Sequence, residues 1–121
     1  TSELATVIQE KMDEWSIDTI YIDSAAQQVK ADFAYDYDIY CENAVKSVND
    51  GISYLQVLIE NNNLFFDTLG ASHTFSAMSS YRWNPNTETP KPIHDWTSHP
   101  CDAVRYAIYT HSKMSNISIY A

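Results

Sequence analysis

An imidazole and a carboxylate stand three residues apart where the sequence predicts the start of its last helix. His99 and Asp102 flank Pro100, and proline is favoured at the first helical position, which places Asp102 in the first turn. The two side chains would then lie close together at the N-terminus of the helix, well placed to share a divalent metal ion. The alternative is an acid that suits the positive end of the helix dipole.

A second acid, Asp23, ends a short apolar run, Thr19 to Ile22, that is predicted to be a buried strand. Ligands and catalytic groups of open α/β sheets collect at the carboxyl ends of strands. If Asp23 and Asp102 meet at one sheet edge, they form the arrangement that two-metal phosphodiester chemistry requires, with Mg²⁺ or Mn²⁺ as the ion. The alternative for Asp23 is an N-cap of the following helix.

Other candidates carry a weaker signal. His94 and Asp95 are most simply a turn with an exposed pair. A zinc site is disfavoured, because the spacing of the candidate ligands His73, His94, His99 and Cys101 fits no standard pattern. The acids Asp36, Asp38 and Glu42 suit a solvated surface. The sequence contains no phosphate-binding loop, dinucleotide fingerprint or nucleophile elbow.

The chain has 121 residues, 45% of them hydrophobic, and a formal charge of −9, which favours a folded protein of one domain or part of one. Such a charge argues against a nonspecific clamp on nucleic acid, but not against an enzyme whose carboxylates reach phosphate through metal ions. Cys41 and Cys101 indicate reduced thiols in a cytosolic protein, with a disulfide as the alternative. We see no signal peptide and no membrane-spanning run.

Hydrophobic spacing predicts alternating helices and strands, and therefore an α/β fold with an at least partly parallel sheet. Leu4, Val7, Ile8, Met12 and Trp15 give the first helix one buried face, and Ala103, Val104, Ala107 and Ile108 do so for the last. We predict helices at 4–15, 24–31, 45–59, 70–80 and 100–113, strands at 19–22, 38–42 and 64–66, a connector at 33–37, a loop at 82–92, and an edge strand or frayed tail from 117.

The order of these landmarks resembles that of a known family. The series begins with Ile22-Asp23-Ser24-Ala25, continues through Ala44-Val45-Lys46, Gly51-Ile52-Ser53-Tyr54-Leu55 and Tyr81-Arg82-Trp83, and closes with His99-Pro100-Cys101-Asp102-Ala103-Val104-Arg105-Tyr106. It resembles the C-terminal nuclease domain of the phage terminase large subunit, over nearly the whole chain. The closing segment is the most specific part of the resemblance.

The resemblance implies a ribonuclease H-like fold, a mixed sheet flanked by helices, with acids that bind two divalent metal ions, Mg²⁺ or Mn²⁺. It assigns Asp23 and Asp102 as metal ligands and catalytic residues, and His99 as a further ligand or a proton carrier. Lys46 and Arg105 are candidate contacts to DNA phosphate, and the alternative for Arg105 is a structural ion-pair partner. The implied substrate is concatemeric double-stranded DNA, cut in the host cytoplasm by a viral protein that works with a portal and a small terminase subunit, without secretion or a membrane.

The family's first acid lies on the first strand of the sheet, which would precede Thr1, and its ATPase domain would lie further upstream. We therefore expect residues 1–121 to be the C-terminal part of a single nuclease domain, with weak or no cleavage by this segment alone. Two alternatives stay open. One is a non-catalytic protein-interaction domain that docks to a portal or partner subunit, and the other is a different ribonuclease H-like nuclease, such as a resolvase.

Overall fold

The fold was analysed in a computed structural model, which describes the backbone of residues 1–120 and the side chains of residues 1–114. Over this part of the chain there are five helices: α1 (Ser2–Trp15), α2 (Gln27–Tyr37), α3 (Val48–Glu60), α4 (Ser72–Ser80) and α5 (Ser98–Tyr120). Two short strands, β1 (Tyr21–Ile22) and β2 (Glu42–Asn43), form a parallel pair. The chain divides into two compact units, Thr1–Ala44 and Val45–Ala121.

The first unit packs α1 and α2 around a small apolar core. Ala5, Phe33, Ile39 and Cys41 are buried at its centre, with Ile8 and Met12 of α1 partly buried against them. The face predicted for α1 is therefore only partly correct, since Leu4, Val7 and Trp15 are exposed. The predicted connector at 33–37 is wrong, because burial of Phe33 extends α2 to Tyr37.

The parallel pair is confirmed, but it is shorter than the sequence indicates. Tyr21 is in register with Glu42, and the Ala44 amide donates to the Ile22 carbonyl at 2.8 Å. Both β1 residues are half-buried, so a strand buried on both faces is wrong. The predicted strand at 64–66 is also wrong: residues 64–66 form no strand, and Phe65 is 77% exposed. The structure thus supports a mixed α/β class.

The second unit is built on α5, against which both α3 and α4 pack. Leu55 of α3 and Ala77 of α4 are buried there. The Val45 amide donates to the buried Thr110 hydroxyl at 2.8 Å, which ties the segment before α3 to α5. The helices predicted at 45–59 and 70–80 are confirmed, and each begins two to three residues late.

The buried face of α5 differs from the predicted one. Cys101, Arg105 and Tyr109, spaced four residues apart, are buried, whereas Ala103 and Ala107 are exposed. The interpretation failed because it assumed that the apolar residues line the core, while an arginine occupies the middle of the buried face. The helix also continues to Tyr120, where an edge strand or tail was predicted.

The proline-rich stretch at 82–92 is a loop, as predicted. Trp83 and Pro92 form an isolated antiparallel bridge, and the Ile93 amide donates to the Arg82 carbonyl at 2.9 Å. This pairing leads the chain into the turn that precedes α5. No helix among the described residues is long and apolar enough to cross a membrane.

Candidate active site

The start of α5 is organised by Asp95. Its Oδ1 accepts hydrogen bonds from the Thr97 amide at 2.9 Å and the Thr97 hydroxyl at 2.6 Å, and these bonds hold the pKa of the Asp95 carboxyl below its ordinary value. The Ser98 hydroxyl accepts from the Asp95 amide and donates to the Ile93 carbonyl. This network starts the helix at Ser98, two residues before the predicted Pro100. Asp95 is thus the organising residue of the turn rather than half of an exposed pair.

His99 and Asp102 lie on the first turns of α5. The His99 ring is exposed and meets the His94 ring edge-to-face, with 6.0 Å between ring centres. Asp102 lines a shallow depression of about 150 Å³, together with His94, Ser98 and Tyr81. The Asp102 side chain is 32% exposed, so solvent and ions reach its carboxylate. Residues from the loop and the helix therefore converge here.

Arg105 is buried and pairs with Asp102. Its Nη1 donates to Asp102 Oδ1 at 3.0 Å, and its side chain is only 4% exposed. Its Nε is buried without a hydrogen-bond partner among the described atoms. Of the two roles open to Arg105, the structure shows the ion pair. The guanidinium does not face the surface, as contact with DNA would require.

Gly51 makes room for this buried arginine. A Cβ placed at Gly51 would lie 2.5 Å from Arg105 Cδ and 2.6 Å from Cγ, so only glycine lets the side-chain stem cross α3. The guanidinium carbon lies 5.3 Å from the centre of the Tyr106 ring. Sequence reasoning missed this role, although a glycine inside a helical pattern is a signal for close approach of another group.

Tyr81 lines the depression together with Asp102 and interacts with the charges of both Asp102 and Arg105. Burial raises the pKa of its phenol, and the negative charge of Asp102 raises it further, while Arg105 lowers it. Tyr81 therefore remains a neutral hydroxyl beside the Asp102 carboxylate. From the sequence alone, Tyr81 was recognised only as part of the aromatic segment Tyr81-Arg82-Trp83.

Asp23 immediately follows β1, as predicted. Its Oδ1 accepts from the Ala25 amide at 2.9 Å, and its carbonyl accepts from the Ala26 amide at 2.9 Å. Because α2 begins at Gln27 with Ala26 in the capping position, Asp23 shapes the turn before the helix rather than capping it. Lys46 is exposed between β2 and α3.

The predicted site residues divide between the two units. Asp23 belongs to Thr1–Ala44, whereas Lys46, His99, Asp102 and Arg105 belong to Val45–Ala121. Within the second unit the structure brings Asp102 to Arg105 and His99 to His94. Among the described residues, no group of three His, Cys, Asp or Glu side chains is placed to hold a metal ion.

Both cysteines are free and buried. Burial, followed by the charge of Asp102, raises the pKa of Cys101 from 9.0 to about 11. We expect iodoacetamide at pH 8 to alkylate Cys101 at least about a hundredfold more slowly in the native chain than in urea, since two pKa units reduce the thiolate fraction by that factor. Peptide mass spectrometry over time measures this ratio. Equal rates would contradict the burial.

Comparison with known proteins relates the chain to one class, the large subunits of phage terminases. A similar protein is the "Terminase, large subunit" of Escherichia phage T5, which is 37% identical over 118 aligned residues. The alignment covers 93% of this chain and 27% of the phage T5 protein, so the chain spans about a quarter of that relative. No family model and no solved structure matches the chain.

Proposed function

We propose that the chain is a segment of a DNA-packaging terminase large subunit and carries part of a metal-dependent endonuclease site. The supporting observation is the 37% identity to the phage T5 terminase large subunit over 93% of the chain. This likeness favours a terminase over a resolvase. The proposed substrate is concatemeric double-stranded DNA, and the proposed partners are a portal and a small terminase subunit in the host cytoplasm.

Asp23, Asp102 and His99 are the proposed ligands. Carboxylate oxygens suit Mg²⁺ or Mn²⁺, and the exposure of Asp102 leaves its carboxylate accessible although Oδ1 accepts from Arg105. When bound, such ions supply the charge that activates water and stabilises the leaving oxygen of a phosphodiester. The proposed role of Asp23, Asp102 and His99 is to hold the ions at fixed positions. His99, exposed at the helix start, can also carry a proton.

Contact with DNA has to overcome the chain's formal charge of −9. Bound divalent ions would offset part of that charge at the site. Lys46 is the remaining candidate for a phosphate contact, because its side chain is exposed while Arg105 is buried. The basic surface required for tight binding would come from other parts of a terminase.

Mn²⁺ binding tests the metal assignment. We expect the 121-residue chain to reduce the free Mn²⁺ signal in electron paramagnetic resonance, and Asp23→Asn and Asp102→Asn each to weaken binding at least about tenfold, because each removes a charged ligand. Asp36→Asn, which changes an exposed acid of α2, is the matched control. Absence of saturable Mn²⁺ binding, or equal binding by all variants, would contradict the site.

Plasmid cleavage in Mn²⁺ tests how much of the site these residues supply. Weak or absent nicking by the chain alone is expected, because the proposal gives these residues only part of the endonuclease site. Robust cutting that Asp102→Asn abolishes would instead show that a complete site exists within the 121 residues.

A protein-interaction domain is the second candidate, favoured by exposed apolar side chains in the second unit. Phe65 and Leu69 are 77% and 89% exposed, and Phe65 borders a groove of about 440 Å³ with Ile59, Phe75 and Met78. Exposed apolar groups of this kind are typical of interaction surfaces. A chain with this role alone would bind no Mn²⁺, and Phe65→Ser with Leu69→Ser would abolish its binding to a portal or partner subunit.

A further inference from the structure

One side of α1 presents apolar side chains that the first unit leaves uncovered. Leu4, Val7 and Trp15 are 53%, 50% and 68% exposed, while the core contacts of the helix come from a neighbouring side, through Ile8 and Met12. At about 100° of rotation and 1.5 Å of rise per residue, the three exposed side chains fall within about 80° of one another and span about 16 Å. They form one contiguous surface, called here the α1 stripe.

The composition of the α1 stripe is typical of an interface. Tryptophan is largely buried in most folded proteins, and aromatic residues are enriched where proteins meet, yet Trp15 is two-thirds exposed. Lys11 lies between Val7 and Trp15 on the same side of the helix, and its Nζ pairs with Glu14 Oε2 at 3.1 Å. Its aliphatic stem adds apolar surface to the stripe. The stripe is thus apolar along its whole length.

Nearly all of the chain's negative charge lies in the first unit, Thr1–Ala44. These residues include ten Asp and Glu against two Lys, a formal charge of −8 out of the −9 of the whole chain. Glu3, Glu10 and Glu14 are exposed on α1 and follow one edge of the stripe, on the side away from the core. The stripe is therefore bordered by carboxylates.

The sign of this charge selects the kind of occupant. A second copy of the chain would bring a first unit of the same charge to the interface, and DNA is a polyanion, so both would be repelled. A partner rich in lysine and arginine would instead gain from the acids while its apolar side chains cover the stripe. An amphipathic helix of about three turns matches the length of the stripe and presents both kinds of group along one side.

We propose that the α1 stripe and its acidic edge form a docking surface for an amphipathic helix, rich in lysine and arginine, of a partner protein. Trp15 is the apolar anchor, and Glu3 and Glu10 pair with the partner's cations. The surface requires no metal ion and none of the proposed metal ligands, so it is independent of the proposed endonuclease site. It is also distinct from the groove that Phe65 borders in the second unit.

Fluorescence anisotropy of a labelled probe peptide tests the apolar part of this surface. The probe is about as long as α1, with leucine at every third or fourth position and lysine at the others. We expect saturable binding by the 121-residue chain, weakened at least about tenfold by Trp15→Ser, because an aromatic anchor contributes much of the energy of such interfaces. Tyr35→Ser, which changes a 91% exposed aromatic residue of α2, is the matched control and should leave the affinity within about twofold.

A second pair of variants tests the acidic edge. Glu3→Gln with Glu10→Gln should weaken binding about three- to tenfold at about 0.15 M salt, where mainly nearby charges act. Asp36→Asn with Glu42→Gln removes the same charge from α2 and β2 and should change the affinity less than about twofold. Far-UV circular dichroism checks that all variants keep the fold.

Three results would overturn the proposal. One is absence of saturable binding by the native chain, and another is equal binding of a peptide in which glutamate replaces every lysine. The third is a native chain that sediments as a dimer while Trp15→Ser sediments as a monomer, since this would assign the stripe to a second copy. Failure of the endonuclease site is separate, because it appears as absent Mn²⁺ binding with peptide binding intact.

Discussion

Asp102→Ala is expected to destabilise the chain by about 2–3 kcal/mol. Arg105 is buried and always charged, and its Nη1 finds its counterion in Asp102 at 3.0 Å. Removing one partner of a fully buried pair costs roughly 3–5 kcal/mol, because the remaining charge is left uncompensated. The Asp102 side chain is 32% exposed, so water can enter and reduce that cost. Urea unfolding followed by far-UV circular dichroism measures the change.

The converse substitution should cost much less. Arg105→Met keeps an unbranched stem on the buried face and removes the charge, while Asp102 can be solvated. In the double variant, the loss caused by Asp102→Ala should shrink to below about 1 kcal/mol, a coupling that a double-mutant cycle reports. If Asp102→Ala were as destabilising in the Arg105→Met background, the ion pair would not be the cause.

The large cost expected for Asp102→Ala affects how a test of catalysis with this variant is interpreted. Loss of activity in Asp102→Ala would combine loss of a metal ligand with loss of a counterion. Asp102→Asn is the better variant, because its amide oxygen still accepts from Arg105 while its charge is gone. A carboxylate at this helix start has two candidate partners, a buried cation and a metal ion. The first is present in the structure, and the second is a proposal.

Helices with regular apolar spacing were predictable from sequence. The spacing of Leu55 and its neighbours identified α3, and the loop at 82–92 followed from its prolines. Asp23 was also placed correctly at the end of β1, because a short apolar run that stops at an acid marks a strand end. Periodicity reports these features since they depend on residues close in sequence.

The buried face of α5 could not be predicted in this way. Periodicity treats Arg105 as a surface residue, yet its charge is neutralised by Asp102 one turn earlier and its stem crosses Gly51 of another helix. The burial of Arg105 depends on the absence of a side chain at Gly51, more than fifty residues away in sequence. No local sequence pattern reports such a contact. The His94–His99 contact escaped for a related reason, as it depends on side-chain hydrogen bonds within the turn.

Gly51→Ala should destabilise the chain by up to about 2 kcal/mol, against the usual preference of helices for alanine. Glycine inside a helix normally costs about 1 kcal/mol relative to alanine. Here the added Cβ would lie 2.5 Å from Arg105 Cδ, and the buried arginine would have to shift and strain its bond to Asp102. Overpacking of this kind costs about 1–3 kcal/mol. Urea unfolding of the variant gives the net value.

Two comparisons separate the clash from other effects of the substitution. Gly70→Ala, at the chain's other glycine, adds a Cβ whose closest neighbour is the exposed Asp67 carboxylate at 3.1 Å, and should change stability by less than about 0.5 kcal/mol. In an Arg105→Ala background the stem is gone, so Gly51→Ala should become stabilising by about 0.5–1 kcal/mol through helix propensity alone. A reversal of sign between the two backgrounds is the specific signature of Arg105 crossing α3 at Gly51. The same destabilisation in both backgrounds would place the cost in the helix backbone instead.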